Sequence, residues 1–364
     1  MADGSIPLND TAPIDERIDR DAPKRTQQPH RKELQAEREA LIAGLEDFQI
    51  ASVARSFYQI STTLIAYVAV VALMYGALPV SYWLVLGLAL PAAGLVVRLF
   101  VIQHDCGHAA FFPSVRANEL TGRLCSLATL TPFANWRRHH AVHHAAWNNL
   151  DQRHDGLDIY VKCITLKEYQ ALSRREKFLY RLGQHPFVTQ FLIPPFVFLL
   201  VYRTPFDTPK TWWRERRSVF LTNLVQLALF ATLIACLGWR AVAMVHLPIM
   251  IIASIAGIWM FAVQHRFEGV KWLPRDEWSS TRAALHGTSY FKLPRILQWF
   301  TGNIGFHHIH HLLPRVPNYK LEACHETLLA RGTRFHTLTL RDAWRAPRFV
   351  LWDEAQGAMV PFPA

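Results

Sequence analysis

Four apolar runs of membrane-spanning length constrain the fold of this chain more than any other feature. They cover Phe57–Ala77, Tyr82–Ile102, Val219–Leu237 and Val242–Val263, and Arg98 is the single charge that interrupts the second run. About 20 apolar residues are needed to cross the hydrocarbon core of a bilayer. Because backbone polar groups must be satisfied inside such a segment, each run is predicted to be a transmembrane helix.

The connections between the runs indicate how the helices pair. Leu78–Ser81, between the first two runs, carries no Lys or Arg, and the connection between the last two carries only Arg240. The sequence therefore predicts an all-α membrane protein with four transmembrane helices in two hairpins. A shorter apolar stretch, Phe187–Tyr202, contains Pro194 and Pro195 and is predicted to be an interfacial helix.

Basic residues follow the boundaries of these runs. The chain has 39 Lys and Arg against 28 Asp and Glu, a net charge of +11, and the excess lies in the long polar segments. The positive-inside rule then places both termini and the long segments in the cytoplasm. Since membrane topology accounts for the charge, no nucleic-acid partner is expected.

The polar segments are expected to differ in order. Residues 1–45 are polar, without the apolar core of a signal peptide, and are predicted to be a disordered tail. Residues 46–364 are predicted to form one integral-membrane domain with a cytoplasmic, histidine-rich cap. The five cysteines are scattered and form no CxxC pair, so neither a disulfide framework nor a thiolate metal site is indicated.

Histidine is the remaining candidate ligand, and more than half of the 18 histidines fall in three short clusters. Residues spaced i, i+3 and i+4 share one face of a helix. The clusters place eight histidines at such spacings: His104 and His108; His140, His143 and His144; His307, His310 and His311. Imidazole binds iron, copper and zinc, and eight imidazoles exceed what one tetrahedral metal uses. The count favours two metals.

The predicted topology puts all three clusters on one side of the membrane. His265, which ends the fourth run on that side, is a candidate ninth ligand. Two further histidines are ambiguous, because His139 could replace His140 in a looser register and His308 sits between two candidate ligands. As non-ligands they are expected to lie beside the ligands or to face solvent. The remaining histidines are isolated and are expected to be structural: His30, His154, His185, His246, His286, His325 and His336.

Other kinds of metal site fit the pattern less well. A carboxylate di-iron bundle uses two Glu-x-x-His motifs, whereas Glu322 and His325 form a single copy. A zincin would need HExxH, which is absent. A haem-binding electron-transfer protein or a metal transporter would place its ligands inside the spans, where His246 stands without such a set.

The three clusters resemble the histidine boxes of the membrane fatty acid desaturases. The boxes read HDCGH, WRxxHxxHH and HxxHH, and the likeness covers roughly residues 50 to 360. Further segments are similar to bacterial acyl-lipid desaturases: Asn149–Asp151, Asp158–Tyr160, Asn303–His307, Pro314–Tyr319 and Leu351–Glu354. An HxxxH first box is closest to the Δ12 and ω-3 group, and a third box that begins with His307 instead of Gln is unlike the front-end desaturases.

The resemblance implies an enzyme that introduces a cis double bond into an acyl chain. It implies two iron ions held by the eight box histidines, O2 as co-substrate, and an acyl-lipid or acyl-CoA substrate in the bacterial inner membrane. No cytochrome b5-like domain is recognisable, so a separate donor of the ferredoxin or cytochrome b5 type is expected. Alkane or carotenoid hydroxylases and ketolases of the same superfamily remain an alternative. Asp105 and Asp151 are candidate hydrogen-bond acceptors for ligand imidazoles, with helix capping or loop solvation as the other interpretation.

Overall fold

The computed structural model describes residues 28–153 and 163–363, which are mainly helical. Up to the second histidine cluster the helices are α1 (Gln28–Ile42), α2 (Val53–Ala77), α3 (Tyr82–Gly107), α4 (Val115–Thr129) and α5 (Phe133–Ala146). Those that follow are α6 (Leu166–Ala171), α7 (Arg174–Gly183), α8 (Ile193–Leu199), α9 (Trp213–Leu237), α10 (Trp239–His265), α11 (Ser280–Gly287), α12 (Arg295–Phe300), α13 (His307–Leu312), α14 (Leu321–Ala330) and α15 (Leu340–Arg345). His154, the side chain of His30 and the Asp158–Tyr160 segment lie outside the described residues.

Four helices in the described ranges are long and apolar enough to cross a membrane, and they are α2, α3, α9 and α10. They form the two predicted hairpins. Ser52 caps α2 by accepting the backbone N–H of Arg55 at 3.4 Å. Gly238, with φ of +80°, makes the tight turn between α9 and α10, a conformation that favours glycine. The prediction of an all-α membrane fold with two hairpins is confirmed.

Helix α3 lies at the centre of the molecule, where it packs against α2, α4 and α10. Its buried residues extend from Val85 to Cys106. Both α3 and α10 continue beyond the predicted apolar runs, to Gly107 and His265. The added residues, five on α3 and two on α10, are mainly polar, and they carry His104 and His265 on helices anchored in the membrane.

The segment predicted to be interfacial is a bent structure. Helix α7 and the helical stretch Val188–Arg203 meet at an angle of 47°. The first turn of the second arm is a π-helix, Val188–Leu192, and α8 then begins with the Pro194–Pro195 pair in its first turn. Phe187 and Phe196 are more than half exposed. A bend with an apolar outer surface agrees with a segment that dips into the membrane interface.

Short strands pair the C-terminal part of the chain with two earlier segments, one before and one after the second transmembrane hairpin. Strands β1 (Ile164–Thr165), β4 (Leu351–Asp353) and β5 (Ala358–Val360) form one sheet, in which β1 and β4 run parallel and β4 and β5 antiparallel. The parallel pair β2 (Tyr290–Phe291) and β3 (Thr337–Leu338) holds the chain beside α13. Ile164 pairs with Leu351, and Tyr290 pairs with Thr337.

Helix α1 differs from the expected disorder of residues 1–45. Its sequence is rich in good helix formers, and Leu41 and Ile42 pack against the core. The Glu37 carboxylate also accepts the Arg282 Nε–H at 3.2 Å. These contacts with the cap order the helix. Residues 1–27 lie outside the described part of the chain, where the expectation of a disordered tail stays a prediction.

Candidate metal centre

Four helices deliver the predicted histidine ligands to one place. His104 lies in the last turn of α3, and His108 follows directly as its C-terminal cap. The second cluster lies on α5, where the i, i+3 and i+4 spacing puts three rings on one face. His265 ends α10, and the third cluster forms α13, all six residues of which are buried.

Five of these histidines form a first group. One ring nitrogen of each lies within 4.8 Å of the corresponding nitrogens of the others: His104, His108, His140, His144 and His310. The Nε2 atom of His144 is 3.1 Å from His140 Nε2 and 2.9 Å from His310 Nε2. All three histidine clusters therefore contribute to this group.

The other four candidates form a second group beside the first. Ring nitrogens of His143, His265 and His311 lie within 4.8 Å of one another. His307 joins them, since its Nε2 is 2.8 Å from His265 Nε2 and 3.1 Å from His311 Nε2. The two groups touch where the rings of His144 and His311 stack, with centroids 4.2 Å apart. The structure thus brings together all nine histidines that the sequence singled out as ligands.

The arrangement of nitrogens fits metal binding better than hydrogen bonding. A neutral imidazole has one N–H, so the Nε2 of His144 can satisfy only one of its two close nitrogen neighbours as a donor. Nε2 of His104 and of His108 are buried and have no hydrogen-bond partner in the described part of the chain. Buried polar atoms without partners call for an unseen ion or water. Converging lone pairs from neutral nitrogens match a transition metal.

Burial also keeps the rings in the form that binds metals. The pKa values of six of these histidines are held well below the ordinary histidine value. Desolvation is the main cause, and the proximity of other imidazoles is the second; the six are His108, His140, His144, His307, His310 and His311. A histidine must be deprotonated at the coordinating nitrogen to act as a ligand. The site therefore presents neutral imidazoles at neutral pH.

The four predicted neighbours of the ligands occupy different positions. Asp105 is buried, and its Oδ1 lies 3.4 Å from His104 Nδ1, as expected of a carboxylate that orients a ligand. Asp151 is exposed and accepts the backbone N–H of Arg275 at 2.8 Å, which agrees with the loop interpretation. His139 Nε2 lies 3.4 Å from Thr208 Oγ1, and His308 pairs with His325.

An apolar cavity reaches the histidine groups from the membrane side. Its walls include Val96, Val97 and Phe100 of α3, Val197 and Phe198 of α8, and Ala253, Gly257 and Phe261 of α10. His104, His140 and His307 also line it. The lining residues on α10 lie between Met250 and Gln264, a stretch of helix roughly 21 Å long at about 1.5 Å per residue. This stretch is longer than the hydrocarbon depth of one membrane leaflet, roughly 15 Å.

These features define a class of protein: a helical membrane protein with clustered histidines suited to metal binding beside an apolar cavity. A model of the fatty acid desaturase family matches residues 81–344. A "Fatty acid desaturase" of Bacillus subtilis (strain 168) is 42% identical over 309 residues, which cover 85% of this chain and 86% of that protein. The chain belongs to the fatty acid desaturase family.

More distant relatives carry more detailed names. An "sn-1 oleoyl-lipid 12-desaturase" of Synechocystis is 27% identical over 272 residues, covering 72% of each chain. An "Omega-3 fatty acid desaturase, chloroplastic" of Brassica napus is 29% identical over 267 residues, covering 69% of this chain and 63% of that protein. Relatives of the Δ12 and ω-3 types are those that the form of the histidine boxes suggested.

Sequence reasoning missed several residues that contact the ligands. Trp136 stacks on His140 with ring centroids 4.6 Å apart, and Phe261 lies against His143 and His265. Trp136 begins the WRxxHxxHH motif, but its spacing from the histidines does not indicate a role. His325 was expected to be isolated, yet it is half of a buried pair, and no local signal marks such a partner.

Proposed function

We propose that this protein introduces a cis double bond into an acyl chain, using O2 and two external electrons at a centre of two iron ions. The observation that carries the proposal is the convergence of nine imidazoles in two adjoining groups at the wall of an apolar cavity. Family membership supports the reaction. The donor set and the two groups support the metal and its number.

The two groups would hold one metal each. The first would use His104, His108, His140, His144 and His310, and the second His143, His265, His307 and His311. Bound iron would supply the activation of O2 that removal of hydrogen from an unactivated methylene requires. Overall, two neighbouring methylenes lose two hydrogens, while O2 takes up these, two electrons and two protons to give two waters.

The protein's own contribution is to bind and orient the acyl chain. Apolar side chains from α3, α8 and α10 form the cavity wall, so an extended hydrocarbon replaces water there at little cost. Because His104, His140 and His307 stand in the same wall, methylenes in the cavity lie beside both histidine groups. Holding a methylene in place converts an encounter into an oriented contact.

The substrate is best understood as an acyl chain that is part of a membrane lipid. The name of the Synechocystis relative specifies an oleoyl lipid, and the bent segment that lines the cavity with Val197 and Phe198 exposes apolar residues such as Phe196 on its outer side. The name of a relative in Arabidopsis thaliana, "sn-2 acyl-lipid omega-3 desaturase (ferredoxin), chloroplastic", includes ferredoxin. By analogy, we propose that a separate protein of the ferredoxin or cytochrome b5 type donates the electrons. The basic excess favours cytoplasmic placement of the cap, in a bacterial inner membrane.

Expression in a host that makes only saturated and monounsaturated lipids tests the proposal. Total fatty acids would be analysed by gas chromatography and mass spectrometry, with a ferredoxin system supplied. We expect a new cis double bond that disappears in His143→Ala, while that variant remains in the membrane at normal level. Hydroxylated products would move the assignment to the hydroxylase branch of the superfamily. No product from a well-expressed chain with an active donor would refute the proposal.

A further inference from the structure

The carboxylate of Asp105 is buried beside the metal centre and uses its two oxygens differently. Oδ1 lies 3.4 Å from Nδ1 of His104. Oδ2 accepts two hydrogen bonds from one residue, the backbone N–H of Asn318 at 2.6 Å and the Asn318 side-chain Nδ2–H at 2.8 Å. Asp105 and Asn318 are 2% and 1% exposed, so water does not compete for these bonds.

The contacts continue outward from Asn318 to a transmembrane helix. The side-chain Oδ1 of Asn318 accepts the Nε2–H of Gln59, on α2, at 2.9 Å. Gln59 is itself buried. The neighbouring Tyr319 accepts the backbone N–H of Ser52 at 2.8 Å, which ties the same turn to the start of α2. Asn318 is thus held on one side by α2, and on its other side it donates hydrogen bonds to Asp105.

We propose that Asn318 is a positioning residue for the metal centre, which it serves by fixing the Asp105 carboxylate that in turn orients the His104 ring. The inference rests on the metal centre of the proposed function. When His104 donates its Nδ1–H to Asp105, its lone pair is on Nε2. That nitrogen is the buried one without a hydrogen-bond partner in the described residues, and His104 belongs to the first histidine group.

The two donors of Asn318 fix the orientation of the Asp105 carboxylate. The carboxylate can rotate about its Cβ–Cγ bond, and rotation away from His104 would break the hydrogen bonds that it accepts from Asn318. Two donors on Oδ2 anchor that oxygen and leave Oδ1 for His104. Outer hydrogen-bond partners of this kind raise the affinity of a metal site by about 10–100-fold.

Iron retention by purified full-length protein tests the inference. Wild type and Asn318→Leu would be loaded with ferrous iron and equilibrated against increasing ferrozine, a ferrous chelator. Because the Asn318 backbone N–H remains in place, we expect a loss of affinity near the lower end of that range, about tenfold. Gln59→Met, one step further out, should lose less, and it keeps the test open if Asn318→Leu does not fold.

Non-additivity separates positioning from a general effect on the fold. In Asp105→Asn the Asn318 donors select the amide oxygen, so the amide NH2 group, which cannot accept a hydrogen bond, is turned towards His104. Because Asn318→Leu keeps the backbone N–H that holds this orientation, adding it should lower iron affinity no further. Asn118→Leu is the matched control, since Asn118 is also 1% exposed and its bonds are to the backbone of Phe112 and Ser114. That variant should keep wild-type iron affinity even if its melting temperature falls.

Several outcomes would overturn the inference. They are wild-type iron affinity in both Asn318→Leu and Gln59→Met, effects of Asn318→Leu and Asp105→Asn that multiply, or an equal loss in Asn118→Leu. A wild-type chain that retains no metal would overturn it together with the metal centre. A chain that retains iron and shows the predicted pattern, but forms no alkene, would refute the proposed reaction while upholding the role of Asn318.

Discussion

Helix α13 presents buried histidines to two environments. His307, His310 and His311 face the metal centre, where a ring nitrogen can have two or more nitrogen neighbours within 3.4 Å. His308, one residue along, points to the other side, and its Nε2 pairs with His325 Nδ1 at 2.9 Å. In the pair, one N–H and one lone pair satisfy each other, whereas the cluster has more facing nitrogens than its N–H groups can serve.

Neither burial nor ionisation distinguishes the two environments. Burial lowers the pKa of His308 and of His325, as it does for the cluster members on the same helix. The two environments differ in the number of ring nitrogens that converge on one position. A histidine motif therefore identifies a ligand only when the backbone aims several rings at one position.

The largest effect that would separate the two environments is expected from His265→Ala. The second histidine group would lose a ring that no other described residue replaces, so we expect loss of desaturation and of one of the two proposed irons per chain. Metal analysis of the purified protein and fatty acid analysis of the host would measure both.

His246→Phe is the matched control for that variant. His246 lies on the same helix but contacts Tyr75 Oη at 3.1 Å, away from the cluster. It should keep both irons. If His265→Ala retains full iron and turnover, the second group does not include α10.

Blocking the cavity tests whether the acyl chain binds beside the two histidine groups, which the cavity reaches, while the pair of His308 and His325 does not line it. Gly257 lines the cavity, and a Cβ there would meet no atom within 4 Å, so Gly257→Leu should fold and place its side chain in the cavity. We expect product formation to fall by at least tenfold with iron content unchanged, since the acyl chain is excluded while the ligands are untouched.

Gly87→Leu provides the comparison for the cavity variant. Gly87 lies in the transmembrane helix α3, also with no atom within 4 Å of a Cβ, and it is not part of the cavity wall. It should keep wild-type activity. Equal activity of Gly257→Leu and wild type on the same lipids would show that the chain binds elsewhere.

The features that were predictable from the sequence are those encoded by local patterns. Uninterrupted apolar runs predicted the two hairpins, and the i, i+3 and i+4 spacing predicted which rings of α5 and α13 share a face. His265 was identified from its position at the end of a run. The exact ends of α3 and α10, at Gly107 and His265, were not predictable, because the last residues of each helix are polar and give no apolar boundary.

The features that were not predictable depend on contacts between distant parts of the chain. Asp105 and Asn318 are 213 residues apart, and nothing near either residue marks the other. His308 and His325 lie on different helices, so the sequence could not show that His308, alone in the third cluster, faces away from the other rings towards a buried partner. Helix α1 is ordered by Leu41 and Ile42 against a core that its own composition does not reveal.

Disrupting the buried pair of His308 and His325, which faces away from the histidine groups, should affect stability and spare the metals. In His325→Ala, the buried Nε2 of His308 loses its partner, at a cost of about 1–3 kcal/mol in the free energy of unfolding. We expect a lower melting temperature, with both irons retained per folded chain. Loss of iron in proportion to that in His265→Ala would show that the pair supports the metal centre, and would weaken the distinction between the two environments.

The smallest effect is expected from His336→Ala, because His336 belongs to neither of the two environments. His336 is exposed and stacks on Phe267 with ring centroids 4.6 Å apart. Substitutions at such surface positions change stability by about 0.5 kcal/mol or less. Iron content and turnover should therefore match wild type in the assays used for His265→Ala. Complete loss of activity at normal expression would mean that the C-terminal segment contributes directly to the reaction, because the lost stacking contact is too weak to dismantle a centre built on four other helices.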